Sequence, residues 1–301
     1  MAIQYRKSRF QGQNSMCPYI YIYDTEDIQD IKDKLIDTEE LAATIGDFEY
    51  LPVFSKLRKL LVLCGEFSQL GLINLYNHKD LEALCFDLNY INSKDEKDEA
   101  IDLREFPNLQ ALYTWEYNVK YLPSAISLKT LGICSDMKNL QYISELKNID
   151  SLAISGNKIQ SLHGIENMKL QCFSISSSRK LTDISSLEYS YDTLQFLRID
   201  HCPNISDLSI LGTLHNLKSL VISGYKGQLH SLSFLDELSN LNYFVTDYNV
   251  IDGDLSRLKR ISYASIINNR KHYNLKDEDL CRKSSVVLGN ESIPLWRRIA
   301  K

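Results

Sequence analysis

Residues 149–159 read IDSLAISGNKI. Apolar side chains stand at the first, fourth and sixth places, Ile149, Leu152 and Ile154, with Asn157 at the ninth and Ile159 at the eleventh. The same spacing recurs in LEALCFDLNYI from Leu81 and in LNYFVTDYNVI from Leu241. Weaker copies begin at Leu57, Leu109, Leu128, Leu170, Leu194 and Leu217, and a degenerate one at Leu258. Most of these starts are separated by the interval of about 20–29 residues that marks one kind of stacked coil.

The alternation has a direct physical reading. Places four and six are apolar while three, five and seven face the other way, so each copy holds a short strand with one buried side. Successive strands stack at about 4.8 Å into a parallel sheet. After the strand the chain turns inside the coil, where backbone groups need partners other than water. Asn89, Asn157 and Asn249 are placed to provide them, since an amide both donates and accepts. Other copies put Gly65, Tyr117, Asp136, Ser178, Cys202 or Tyr225 at the ninth place, so the Asn ladder is interrupted. Apolar pairs such as Leu162 and Ile165, Ile184 and Leu187, or Leu232 and Leu235 mark short returns that suit 3-10 turns better than long helices. The fold class is therefore α/β, a leucine-rich-repeat solenoid of about ten repeats with terminal caps. Its curved parallel sheet forms the concave face and short helical or 3-10 turns the convex one.

The unit L-x-x-L-x-I-x-x-N-x-I with an I-x-x-L return resembles the internalin-like subclass of bacterial leucine-rich-repeat proteins, over roughly Leu57 to Asn268. The resemblance implies the fold and is nearly silent on function. The opening MAIQYRKSRFQGQNSMCPYIYIYD lacks the apolar core of a secretory signal, and the ending PLWRRIAK is no wall-sorting signal. The adhesive role of secreted relatives is therefore not carried over, and the expected location is cytoplasmic.

A solenoid exposes its core at both ends unless capped. Residues 1–50 read as an N-terminal cap: a strand over Tyr19–Tyr23, a helix carrying Ile28, Ile31 and Leu35, and a second short helix carrying Leu41, Ile45 and Phe48. A small separate domain is the alternative. The solenoid proper spans 51–269. Residues 270–301 form a C-terminal cap or tail, with Val286, Val287, Leu288 and Trp296 as apolar cover. The mixed-charge run at 93–100 is read as a rim loop.

With 34 basic and 39 acidic residues the net charge is −5, which argues against a general nucleic-acid binder. No apolar stretch approaches the roughly 20 residues of a membrane helix. The seven cysteines contain no C-x-x-C pair, so free thiols are expected. Phosphate-loop, serine-elbow, dinucleotide and zinc-protease motifs are absent. Asp200, His201 and Cys202 are contiguous, but Cys202 takes the ninth place and reads as a buried turn residue. No cofactor, metal or catalytic residue is expected.

Two groups stand out on the outward tracks. Tyr113, Trp115 and Tyr117 cluster in one repeat. Phe196, Arg198, Asp200 and His201 occupy another, with Tyr243, Asp247 and Tyr248 two repeats on. Gly132, Ser151, Ala153, Ser155, Ser174 and Ser176 would make a small-residue floor. Trp, Tyr and Arg are the types that most often dominate binding energy. Asp87, Asp200 and Asp247 share one track and would favour basic groups on a partner. Aromatics on strands also serve simply as packing. The leading expectation is a non-catalytic scaffold that binds a protein on its concave face. The alternatives are a bacterial effector that binds a host protein and, far behind, an enzyme with its site on that face.

Overall fold

The computed structural model describes residues 3–7, 18–22, 37, 39–43, 51–62, 69–86, 100–205, 207–224 and 227–283. The chain divides into two units, residues 1–134 with 295–301, and residues 135–294.

The first unit contains β1 (Ile3–Lys7), β2 (Pro18–Ile22), β3 (Glu40–Ala43), β4 (Lys59–Val62), β5 (Ala83–Phe86), β6 (Ile101–Asp102), β7 (Ala111–Trp115), β8 (Val119–Lys120) and β9 (Thr130–Cys134). Its main sheet runs β1-β2-β3-β4-β5-β7-β9, with β6 and β8 as a separate pair. β1 and β2 are antiparallel, and every later pair is parallel. The fourth places Leu60, Leu84, Leu112 and Leu131 align in register and are buried. Each such leucine stabilises by roughly 1.5–3 kcal/mol when fully buried.

The cap departs from expectation at Leu41. It lies in β3 rather than in a helix, because the Glu39 carbonyl accepts from Arg58 N–H at 2.9 Å and Lys59 N–H at 3.0 Å. Pairing with the first repeat strand overrides the local helical pattern, so the sheet begins before residue 51. The helix expected over 28–35 lies outside the described residues, as do Ile45, Phe48, Asn89, Asp87 and nearly all of the 93–100 run.

The second unit contains β10 (Ser151–Ser155), β11 (Cys172–Ser176), β12 (Phe196–Asp200), β13 (Ser219–Ser223), β14 (Gln228–Leu229), β15 (Tyr243–Thr246), β16 (Asn249–Val250) and β17 (Tyr263–Ile266). Its main sheet runs β10-β11-β12-β13-β15-β17, all parallel. The fourth places Leu152, Phe173, Leu197, Leu220, Phe244 and Ala264 form one buried row. The sixth places Ile154, Ile175, Ile199, Ile222, Thr246 and Ile266 form a second. The last repeat corrects the sequence reading. Its strand pairs Tyr243 with Tyr263 and Phe244 with Ala264, so the repeat begins at Ile261, three residues after Leu258. Ala264 stands where leucine is usual, buried beside its register partner Phe244.

The returns are 3-10 turns at Gln141–Ile143, Ser185–Ser190, Ser209–Thr213, Ser233–Glu237 and Ser256–Arg260. Asp183, Asp207 and Asp254 cap three of them by accepting from the backbone N–H two residues on, at 2.8–3.0 Å. Among the described residues the Asn ladder is replaced. Asn157 is exposed and Asn249 only half-buried, while buried Asn118 leaves its amide nitrogen unsatisfied. Ser135, Ser178, Cys202 and Thr246 serve the turns instead, each bonding a backbone group within two residues. A different asparagine bridges the coils. Asn216 and Asn240, each just before its strand, donate to Asp192 O at 2.6 Å and His215 O at 2.9 Å in the preceding repeat.

The far edge of this unit is closed by its own chain. Ala264 N–H donates to Cys281 O at 2.9 Å and Lys283 N–H to Ser262 O at 3.0 Å, so residues 281–283 run antiparallel along β17. Covering an edge in this way blocks strand addition. Val286, Val287, Leu288 and Trp296 lie outside the described residues.

Candidate functional site

In the first unit, β7 alternates cleanly. Leu112 and Thr114 are buried, whereas Ala111, Tyr113 and Trp115 are half-buried on the opposite face. The Tyr113 ring lies flat on Gly132, its register partner on β9; a Cβ there would come within 2.1 Å of the ring. Trp115 and Tyr117 stack with centroids 5.6 Å apart and planes inclined by 22°. Burial, with the Cys134 thiol nearby, raises the pKa of the Tyr117 phenol. Of the three rings that sequence reasoning grouped, Trp115 and Tyr117 stack on each other, and Tyr113 lies against Gly132.

In the second unit the outward face has two textures. β10 and β11 carry only small side chains there, and Ala153, Cys172 and Ser174 are buried among them. At β12 the surface rises abruptly, with Phe196, Arg198 and Asp200 half-buried on the same side. Asp200 organises this group. Its Oδ1 accepts from Ser223 Oγ at 2.5 Å and contacts His201 Nδ1 at 2.9 Å, and its Oδ2 accepts from Arg198 Nη2 at 3.1 Å. Burial alone would raise the Asp200 pKa, but the bonds from Ser223 and Arg198 and the nearby positive charge hold it below its ordinary value. His201 is exposed and sits at the left-handed turn position, with φ 54°; Ser177 does the same one repeat earlier, with φ 57°.

Tyr243 lies two strands further on, where its ring stacks on Tyr263 at 4.7 Å with planes 9° apart. The Arg282 guanidinium lies 6.0 Å from the Tyr263 centroid and also pairs with Asp277. Val221 and Val245, half-buried, sit between this stack and Arg198. Phe196, Val221, Tyr243, Val245 and Tyr263 thus form an apolar and aromatic stripe across four neighbouring strands.

Two assigned contact residues are corrected. Tyr248 is only 2% exposed. It turns inward because Gly227 leaves room for its ring, and its hydroxyl reaches Cys202 O at 3.4 Å. Asp247 is also buried, and its Oδ1 accepts from Gly224 N–H at 2.9 Å. In this copy Val250 fills the core and Ile251 is exposed, one place off the repeat rule. Tyr263, by contrast, was missed, because Ala264 hid the strand that carries it.

In the contiguous Asp200, His201 and Cys202 the thiol is withdrawn from solvent. The Cys202 thiol is fully buried, donates to Asp200 O at 3.4 Å, and burial pushes its pKa up to about 11. Among the described residues, no three His, Cys, Asp or Glu side chains are placed to hold a metal ion, and no helix is long and apolar enough to cross a membrane.

The sequence matches no protein-family model and no curated protein. Solved structures do match. An internalin (inlF) from Listeria monocytogenes superposes with a TM-score of 0.58 at 20% identity, over 84% of this chain and 81% of that one. A leucine-rich-repeat protein of Leptospira interrogans superposes with a TM-score of 0.51 at 16% identity, over 83% and 67%. At such identities the likeness concerns the fold, and the fold is the leucine-rich-repeat solenoid.

Proposed function

We propose that this chain is a non-catalytic scaffold that holds a protein partner on the outward face of its parallel sheet, the concave face of a leucine-rich-repeat solenoid. The observation that carries the reading is the half-exposed stripe of Phe196, Val221, Tyr243, Val245 and Tyr263 beside Arg198. Strand geometry makes these side chains parallel and rigid, so little freedom is lost when a partner covers them. Aromatic residues and arginine are the types that most often anchor protein interfaces. Trp115, Tyr117 and Tyr113 make a second anchor of the same kind in the first unit. Five free cysteines among the described residues fit a cytoplasmic setting.

The test is affinity capture from native lysate with the wild type beside Trp115→Ala, Arg198→Ala and Tyr243→Ala, each first shown to be folded. A partner retained by the wild type and lost by at least one variant supports the reading. A partner retained equally by all four proteins places binding elsewhere and overturns it.

A further inference from the structure

Among the described residues, the two acids of the track that would have attracted basic groups are engaged internally. Asp247 is buried on the Gly224 N–H, and Asp200 is engaged by Ser223, His201 and Arg198. What the second unit turns outward at this point is the other half of the ion pair. Arg198 commits only Nη2 to Asp200; its Nε–H and Nη1–H groups have no partner among the described residues. Asp200 therefore acts as a positioning residue that orients the guanidinium through Nη2 and leaves Nε–H and Nη1–H as charged single donors, each able to bond a carboxylate oxygen.

A second, independent group points to the same spot. Ser174 is the register partner of Arg198 on the adjacent strand. It is 5% exposed, yet its hydroxyl makes no hydrogen bond among the described residues. Ser174 and Arg198 pair across neighbouring strands, which lie about 4.8 Å apart, so that hydroxyl and the unspent guanidinium donors belong to the same face of the sheet. Access lies over β10 and β11, where Ser151, Ala153, Ser155, Cys172 and Ser176 raise no long side chain. Val221 is the register partner of Arg198 on the opposite side, and Phe196 precedes Arg198 on the same face of β12.

We infer that Arg198 and Ser174 form a carboxylate site, filled by an Asp or Glu side chain of the protein partner that lies across the small-residue strands. The inference rests on the proposed scaffold function and specifies the chemistry of its ligand. Because the Arg198–Asp200 pair is close to neutral, recognition comes from directed hydrogen bonds rather than from net charge.

The test is a random-peptide display library panned on the full chain, followed by affinities for selected peptides against wild type, Arg198→Gln, Ser174→Ala and Tyr243→Ala. Thermal melts establish that all variants are folded. Peptides are expected to share an Asp or Glu whose change to Asn or Gln weakens binding about tenfold or more. Arg198→Gln should cause a similar loss, and the two changes together should cost little more than either alone. Ser174→Ala should weaken binding severalfold, and Arg198→Lys should recover only part of the Arg198→Gln loss. Peptides that bind this face, as judged by loss on Tyr243→Ala, but show no acidic requirement would overturn the carboxylate site and leave the scaffold reading standing. A library whose binders ignore every variant, or that yields no binder, overturns both.

Discussion

Tyr248→Ala should destabilise the second unit by about 3–5 kcal/mol, the usual cost of emptying a buried aromatic site. The ring is buried to 2% exposure and rests on Gly227, where an added Cβ would sit 2.1 Å from it. Tyr248→Phe keeps the ring and loses only the 3.4 Å hydrogen bond to Cys202 O; a bond that long contributes about 0.5 kcal/mol or less. For a unit of this size the alanine change corresponds to a melting-temperature drop of roughly 6–20 °C and the phenylalanine change to about 2 °C or less. Urea unfolding followed by circular dichroism measures both. Hydrogen exchange across residues 200–250 guards against the partial cooperativity that repeat arrays show. If Tyr248→Ala stays within about 0.5 kcal/mol of wild type, as surface substitutions do, the ring is on the surface. The inward turn of this repeat would then be wrong.

Gly164→Ala should cost about 2 kcal/mol or more in the same unfolding assay, because Gly164 has φ 118° and an added Cβ would lie 2.2 Å from the Leu140 carbonyl carbon; an unchanged midpoint would contradict that turn. Native-state alkylation at pH 8, read by mass spectrometry, should leave Cys202 unmodified, since burial lifts its thiol to about 11, while the half-buried Cys281 reacts. Faster modification of Cys202 than of Cys281 would show the turn to be open. Hydrogen bonds from Ser256, with a further one from Asn274, lower the Asp254 pKa to about 2. A depressed folded-state pKa means that its contribution to stability is complete above the unfolded value, near 3.8, and is lost as pH falls toward 2. An NMR titration of the Asp254 carboxyl should show a midpoint near pH 2, and Ser256→Ala should move it upward; a midpoint near 4 in the wild type would rule out the cap.

The repeat was legible because a buried strand tolerates few residue types. Leu, Ile and Phe recur at places four and six, and their spacing survives even where the turn changes. Legibility failed where a small residue took a core place. Ala264, paired with Phe244, erased the strand of Tyr263 from the pattern. It failed again in the turns. Their backbone groups accept service from Ser, Cys or Thr as readily as from Asn, so Asn157 could stand exposed while Ser178 did the equivalent work. Leu41 was drawn into a strand by its partner β4, an influence that no local window contains.

The site divided in the same manner. Tyr113, Trp115, Phe196 and Arg198 were readable because strand alternation assigns their side without ambiguity. Asp247 and Tyr248 were misassigned because they follow the last paired residue of β15, where alternation stops and turn geometry decides direction. The internal engagement of Asp200 was equally hidden, because Ser223, which donates to its Oδ1, lies a full repeat away in sequence.

Site-specific photocrosslinking in native cells tests the central claim most directly. A benzophenone amino acid is placed at Val245 or Tyr113 on the outward sheet face, or at Glu188 or Tyr189 on a 3-10 return. The account predicts a discrete protein adduct from the sheet positions and none from the returns. Adducts from the returns alone would contradict it.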